Sequence, residues 1–303
     1  MKKSGNYIVR LLKTSCSFIL QFGGSFVLIL FIVVAFRVFI GEILTIESKS
    51  MERTFFNKDI IYVNKSKIGV NYPTTLDDIP WLGTIVYYFD SRFLKNMLSY
   101  SLYKSSINYP IRKVNCNDVI ILKNPNSKDL IVKRCVAKGG DVLNISKDNI
   151  KIRGVEIKKS SQNSISRIKI DTVYKKLNKE TIDFIKINIG QKESSFDDKY
   201  FGEYVIPFKG YKIKLSAHSL YLYKDLIERF ENRCIHIKDG DFYIDDALCE
   251  EYTFLRDYYF VIGDNIPYSS DSRYFGLVPD FLIVGKAEVI IYSPERKILF
   301  NNI

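Results

Sequence analysis

Two serines bracket a lysine at Ser48-Lys49-Ser50, with Met51 following. A serine hydroxyl becomes a useful nucleophile only when a base can take its proton. The chain has two histidines, His218 and His236. No G-x-S-x-G elbow accompanies either, and each reads as a surface histidine. Ser101-Leu102-Tyr103-Lys104 matches S-x-x-K, but the S-D-N and K-T-G partners of that pattern are absent. The base left over is a lysine held neutral by burial. Lys133 is the candidate by position. In residues 130–136, period two puts Ile131, Lys133 and Cys135 on one face and Val132, Arg134 and Val136 on the other. On this stretch alone, an edge strand with two solvated cations is the better reading.

The elements that must hold these groups are mostly strands. Residues 59–63, 118–122, 130–136, 258–262 and 286–291 are short runs rich in branched and aromatic residues, bounded by turn-forming residues. The pattern predicts a β-barrel or sandwich core. Residues 81–89 read as a further core strand. One helix is expected, with Leu220, Tyr223, Leu226, Ile227 and Phe230 on one face after Ser219 as cap. Residues 147–152 and 238–244 echo each other as hairpins. The Lys-, Ser- and Asn-rich stretch between them suggests an inserted subdomain over residues 142–257, flanked by core segments 41–141 and 258–303.

Residues 14–36 contain no charged side chain and would span about 34 Å as a helix, enough to cross a bilayer core. Lys2, Lys3, Arg10 and Lys13 precede them, which puts residues 1–13 in the cytoplasm. No Ala-x-Ala pattern follows, so residues 14–40 read as an uncleaved transmembrane anchor rather than a signal peptide. From Ile40 to Ser50 the chain reaches at most about 33–36 Å, so Ser50 is tethered to the outer interface. Met51, Phe55 and Phe56 beside it are either core residues or a surface that dips into lipid. The chain is basic, with 45 Lys+Arg against 34 Asp+Glu. No nucleic-acid motif accompanies that charge, and the lipid bilayer is the better-motivated anionic partner. The five cysteines (Cys16, Cys116, Cys135, Cys234, Cys249) lack zinc-like spacing, and only Cys234 and Cys249 flank a hairpin that could let them pair.

In combination, Ser48-x-Ser50-Met51, residues 118–125, Lys133-Arg134 closing on Gly140-Asp141, and "YYFVIGDNIPYSSDSRYFGLVP" resemble the type I signal peptidases. These are membrane-bound serine proteases with a Ser-Lys dyad, and the resemblance covers nearly the whole chain. It implies Ser50 as nucleophile and Lys133 as general base, later the acid for the leaving amine. Ser48 and the Ser50 backbone N–H would serve the oxyanion, and Ser269 would orient the lysine. Asp271 would pair with Arg134 and Arg273, with Asp264 joining that ionic cluster. The implied substrates are signal peptides of exported preproteins, with small residues at the first and third positions before the cut. The implied location is the cytoplasmic membrane with the catalytic domain outside, and no metal or cofactor is needed.

The sequence departs from the family pattern at several positions. Glu47 and Arg53 replace prolines, Lys49 replaces a glycine, Ile266 an arginine, and Lys58 and Asn117 the glycines of two Gly-Asp pairs. A left-handed backbone at Lys49 would store about 1–3 kcal/mol of strain. Two alternatives stand beside the main reading: a non-catalytic membrane-anchored binding relative, and a Ser-Lys protease with a narrower substrate.

Overall fold

Runs of branched residues need partners for their backbone N–H and C=O groups, and here they find them in antiparallel sheet. The computed structural model describes residues 23–68, 114–127, 129–146, 149–152, 155–158 and 200–303. The chain divides into two compact units, Met1–Glu42 with Gly69–Tyr109 and Ile43–Ile68 with Pro110–Ile303. In the first, residues 23–39 form helix α1, whose apolar side chains such as Phe26 and Phe31 are exposed. Among the described residues no helix is long and apolar enough to cross a membrane. Residues 14–22 of the expected anchor, the strand expected over 81–89, and Ser101 with Lys104 lie outside the described residues.

The main sheet begins with β1 (Gly41–Thr45), β2 (Ile60–Asn64), β3 (Val119–Lys123) and β4 (Leu130–Lys138). Next come β5 (Val142–Ser146), β6 (Asn149–Ile152), β7 (Val155–Lys158) and β8 (Tyr200–Val205), which form a four-stranded sheet of their own. β9 (Lys212–Lys214), helix α2 (Ala217–Phe230), β10 (Ile235–Lys238), β11 (Asp241–Ile244), β12 (Ala247–Leu248) and β13 (Glu251–Thr253) follow. β14 (Tyr258–Ile262), the short helix α3 (Ser272–Phe275), β15 (Val278–Pro279), β16 (Ile283–Ser293) and β17 (Ile298–Asn302) return to the main sheet. Its order is β1-β2-β16-β3-β4-β14-β15, with β17 also on β16. The expected mainly-β fold is met as one open path rather than a closed barrel among the described residues.

Both echoed segments are antiparallel hairpins, β5–β6 and β10–β11. The expected helix is present with its apolar face buried, but the cap is Ser216 rather than Ser219. Ser216 Oγ accepts the Ser219 N–H at 3.1 Å while Ser219 Oγ accepts the Ser216 N–H at 2.8 Å, a reciprocal cap that satisfies two otherwise orphan donors. Cys234 and Cys249 are free thiols.

β14 is buried along its whole length. Tyr258, Phe260 and Ile262 face a hydrophobic cluster shared with α2, β9, β10 and β13, whereas Tyr259 and Val261 face a second cluster with Ile120, Leu122 and Phe275. A third cluster contains Met51, Phe55, Ile61, Val63, Val119 and Ile121. Met51 and Phe55 are therefore core residues, and Phe56 lies half-buried beneath the Arg296 guanidinium, 4.6 Å from its ring centre.

Three turns that launch strands share one design. At Lys58-Asp59, Asn117-Asp118 and Gly140-Asp141 the first residue is left-handed (φ 69°, 73° and 89°). The following aspartate accepts the backbone N–H three residues earlier, at 2.9 Å in each case. This is the physical reason glycine suits the first position.

Candidate active site

Ser50 sits in a 3-10 turn, Lys49–Met51, led by the extended Ser48. The chain ahead of that turn is pinned to the turn before β2, since the Ile46 N–H donates to Asp59 O at 2.8 Å and the Lys58 N–H to Ile46 O at 2.7 Å. Lys49 is not among the left-handed residues, so the strain anticipated there does not arise.

β4 brings Lys133 to this turn. Ile131 and Cys135 pack in the second cluster and Val132 in the third, as period two requires. Lys133 Nζ lies 2.8 Å from Ser50 Oγ, and the two residues are 2% and 6% exposed. Burial lowers the lysine pKa from 10.5 to about 8; nearby Asp271 works against the shift and Arg273 with it. Ser48 Oγ stands 3.2 Å from Ser50 Oγ.

The expected ionic cluster resolves into two separate pairs. Arg134 leaves β4 on the face opposite Lys133 and forks onto Asp264, Nε to Oδ1 at 2.8 Å and Nη2 to Oδ2 at 2.6 Å. Thr54 Oγ1 joins them, accepting from Arg134 Nη2 at 3.0 Å and donating to Asp264. Asp271 does not reach Arg134. It pairs with Arg273, Nε to Oδ1 at 2.7 Å and Nη2 to Oδ2 at 2.8 Å, in a fully buried fork. The reason is local: Asp271 caps α3 and so turns toward its own helix, accepting the Arg273 N–H, while its Oδ2 also accepts the Gly263 N–H at 3.1 Å.

Ser269 is likewise buried, but its Oγ has no hydrogen-bond partner among the described residues, so the bond expected from it to Lys133 is not made. It faces Gly263 instead. A Cβ on Gly263 would fall 2.2 Å from Ser269 Oγ and 2.6 Å from Ser50 O, which explains why this backbone must be glycine.

Residues 19–292 match the family described as signal peptidase, peptidase S26. The chain belongs to that family. Signal peptidase I of Aquifex aeolicus (strain VF5) is 28% identical over 270 residues, covering 88% of this chain and 81% of that protein. Signal peptidase I of Buchnera aphidicola subsp. Baizongia pistaciae (strain Bp) is 29% identical over 284 residues, covering 90% and 76%. A solved signal peptidase I from Enterococcus faecalis V583 is 20% identical, with a TM-score of 0.23 over 58% of this chain and 97% of that one. Family membership makes the chain a serine endopeptidase.

Two contacts at this site were not foreseen from the residue pattern. One is Thr54 between Arg134 and Asp264. The other is Asn265, whose N–H donates to Ser50 O at 3.0 Å and whose Nδ2 donates to Lys49 O at 2.9 Å and Glu52 Oε2 at 3.0 Å. The only sequence signal for either was proximity to a recognised block.

Proposed function

We propose that this peptidase removes signal peptides from exported preproteins with Ser50 as nucleophile and Lys133 as general base. The observation that carries the assignment is a buried lysine amine 2.8 Å from a buried serine hydroxyl, with the lysine pKa brought down to about 8. An amine with a pKa near 8 is neutral in a useful fraction of molecules at physiological pH and can then accept a hydroxyl proton, whereas an ordinary lysine is almost wholly protonated there.

In the reaction, neutral Nζ takes the Ser50 proton as Oγ adds to the scissile carbonyl. The resulting oxyanion is met by the Ser50 backbone N–H and the Ser48 hydroxyl. The ammonium then returns its proton to the leaving amine, and the same amine deprotonates the water that hydrolyses the acyl-serine. The Asp271–Arg273 fork fixes the loop around the lysine. Its two charges act on Nζ in opposite senses, so burial dominates the pKa.

The substrates proposed are preproteins with small residues at the first and third positions before the cut, presented at a membrane surface. Residues 14–40 would anchor the enzyme in the cytoplasmic membrane with residues 1–13 inside and the catalytic residues outside. The exposed apolar face of residues 26–36 supports that reading.

The test is cleavage of a preprotein bearing an Ala-x-Ala site, in detergent or lipid, by the parent chain and by Ser50→Ala. Cleavage after the second alanine, absent in Ser50→Ala and in Lys133→Ala alike, is expected. Retained cleavage in Lys133→Ala would remove the dyad, and a folded but inert parent would overturn the substrate assignment.

A further inference from the structure

The peptide bond is planar, so fixing the carbonyl of one residue fixes the N–H of the next. The Lys49 carbonyl and the Ser50 N–H are two ends of one such plane. The Ser50 carbonyl belongs to the following plane. Asn265 holds both. Its side-chain Nδ2 donates to Lys49 O and its backbone N–H donates to Ser50 O. Lys49 O also accepts the Glu52 N–H at 3.2 Å, so both its lone pairs are engaged and the plane has little freedom to tip. The amide orientation follows from its partners: Lys49 O and the Glu52 carboxylate oxygen accept, so the NH₂ end, not the oxygen, faces them.

Asn265 is well anchored for such a task. It opens the 3-10 turn Ile266–Tyr268, and its carbonyl accepts the Tyr268 N–H at 3.0 Å. Arg273 Nη2 donates to the next carbonyl, Ile266 O, at 2.9 Å, tying the turn to the buried Asp271–Arg273 fork. One residue earlier, the Asp264 N–H points at Met51 Sδ at 3.4 Å.

We infer that Asn265 is the positioning residue of the oxyanion site: by clamping the two peptide planes that flank the Ser50 Cα, it aims the Ser50 N–H at the developing oxyanion, with Glu52 locking its amide. The inference rests on the proteolytic role of Ser50 proposed above. It adds a residue that touches neither substrate nor base and acts through the backbone. Oxyanion stabilisation depends on donors lying where charge develops in the transition state, so a tilted N–H lowers turnover more than substrate affinity.

The experiment compares Asn265→Ala, Asn265→Asp and Glu52→Ala with the parent, all as full-length chains, cleaving the same Ala-x-Ala preprotein across substrate concentration and pH. Asn265→Ala is expected to lower kcat about 10- to 100-fold with KM within about twofold. The acid limb of the pH profile should stay where it is, because Lys133 is not touched. Asn265→Asp should be worse than alanine despite its matching shape, since it sets an acceptor against two acceptors. Glu52→Ala, at a half-exposed position, should lose a few-fold and guards against a folding defect in the Asn265 variants.

Three results would overturn the clamp: kcat within twofold of the parent in both Asn265 variants, an aspartate variant better than the alanine one, or an acid limb that moves. An inert parent would strike the proteolytic reading instead. A cleaving parent with unaffected variants would strike the clamp alone.

Discussion

A lysine amine in a dry site resists protonation, and at Lys133 that single fact bears both on stability and on the role of base proposed for it. The folded group gives up its proton near pH 8 and an unfolded lysine near 10.5. Between those values the unfolded chain binds more protons, so stability rises with pH across the window and the full penalty is felt below pH 8. The gap corresponds to about 3 kcal/mol. Lys133→Met, which keeps the volume and removes the charge, should therefore stabilise the protein by about 1–3 kcal/mol at pH 7 while ending cleavage. Denaturant unfolding at pH 7 and pH 10 checks this: the advantage should shrink at the higher pH, and equal stabilities at pH 7 would contradict it. Cleavage by the parent should climb through a midpoint near pH 8 as the amine becomes neutral, and a rate independent of pH from 6 to 9 would remove Lys133 as base. The neighbouring loop leaves no room for error. Gly263→Ala puts a methyl group 2.6 Å from Ser50 O and against Ser269, so Ser50 or the late loop must shift. A displacement of about 1 Å is enough to cost on the order of 100-fold in kcat, and a variant with near-parent turnover would show that the loop yields elsewhere.

At the scale of elements, the three left-handed turns before β2, β3 and β5 show how the fold tolerates departures from glycine. Asn117 suits a left-handed position better than most side chains, whereas Lys58 bears the full steric cost of roughly 1–2 kcal/mol. Glycine at Lys58 would relieve that cost but add entropy to the unfolded chain, about 0.5–1 kcal/mol against it. Lys58→Gly should thus gain up to about 1.5 kcal/mol and Asn117→Gly close to nothing, read from denaturation midpoints at unchanged slope. A loss in Lys58→Gly would mean the lysine side chain packs usefully. The strands around these turns were legible because branched runs and turn residues alternate cleanly. Strand periodicity offered Lys133 only as one of two cations on a strand, and it was the resemblance to the type I signal peptidases that set it beside Ser50. What stayed hidden depends on backbone atoms or on a cap. Asn265 works through two carbonyls that no residue pattern reveals. Arg134 meets Asp264 rather than Asp271 because a four-residue helix captures Asp271 as its own cap. Ser216 takes the cap from Ser219 for a similar reason, as two serines three apart can satisfy each other reciprocally.

Within the second unit, α2 and β9–β13 are bound through β14 to β4, the strand that carries Lys133. Among the described residues, the largest hydrophobic cluster runs from α2 and β9–β13 into Tyr258, Phe260 and Ile262 of β14, and β14 pairs directly with β4. At its centre lies Glu231, the C-cap of α2. Its carboxylate accepts from the Tyr258 hydroxyl at 3.1 Å, from the Tyr252 hydroxyl, and from the Leu255 N–H at 3.0 and 3.1 Å. Burial, together with that charge, holds both tyrosine hydroxyls well above their ordinary pKa. A buried carboxylate is tolerable only because donors surround it, and removing it strands two hydroxyls and an N–H in an apolar interior. Glu231→Leu should then cost about 3–5 kcal/mol. Because Tyr258 belongs to β14, the loss should not stay local: unfolding of α2 with β9–β13 and of the β4–β14 pair should remain one cooperative transition, shifted to lower temperature, with cleavage lost at the same point. Hydrogen exchange resolves the two regions in a single sample. Early exchange in β10–β13 with β4 and β14 still protected would show that β4 and β14 stand without this support, and simultaneous loss would show that they share one core.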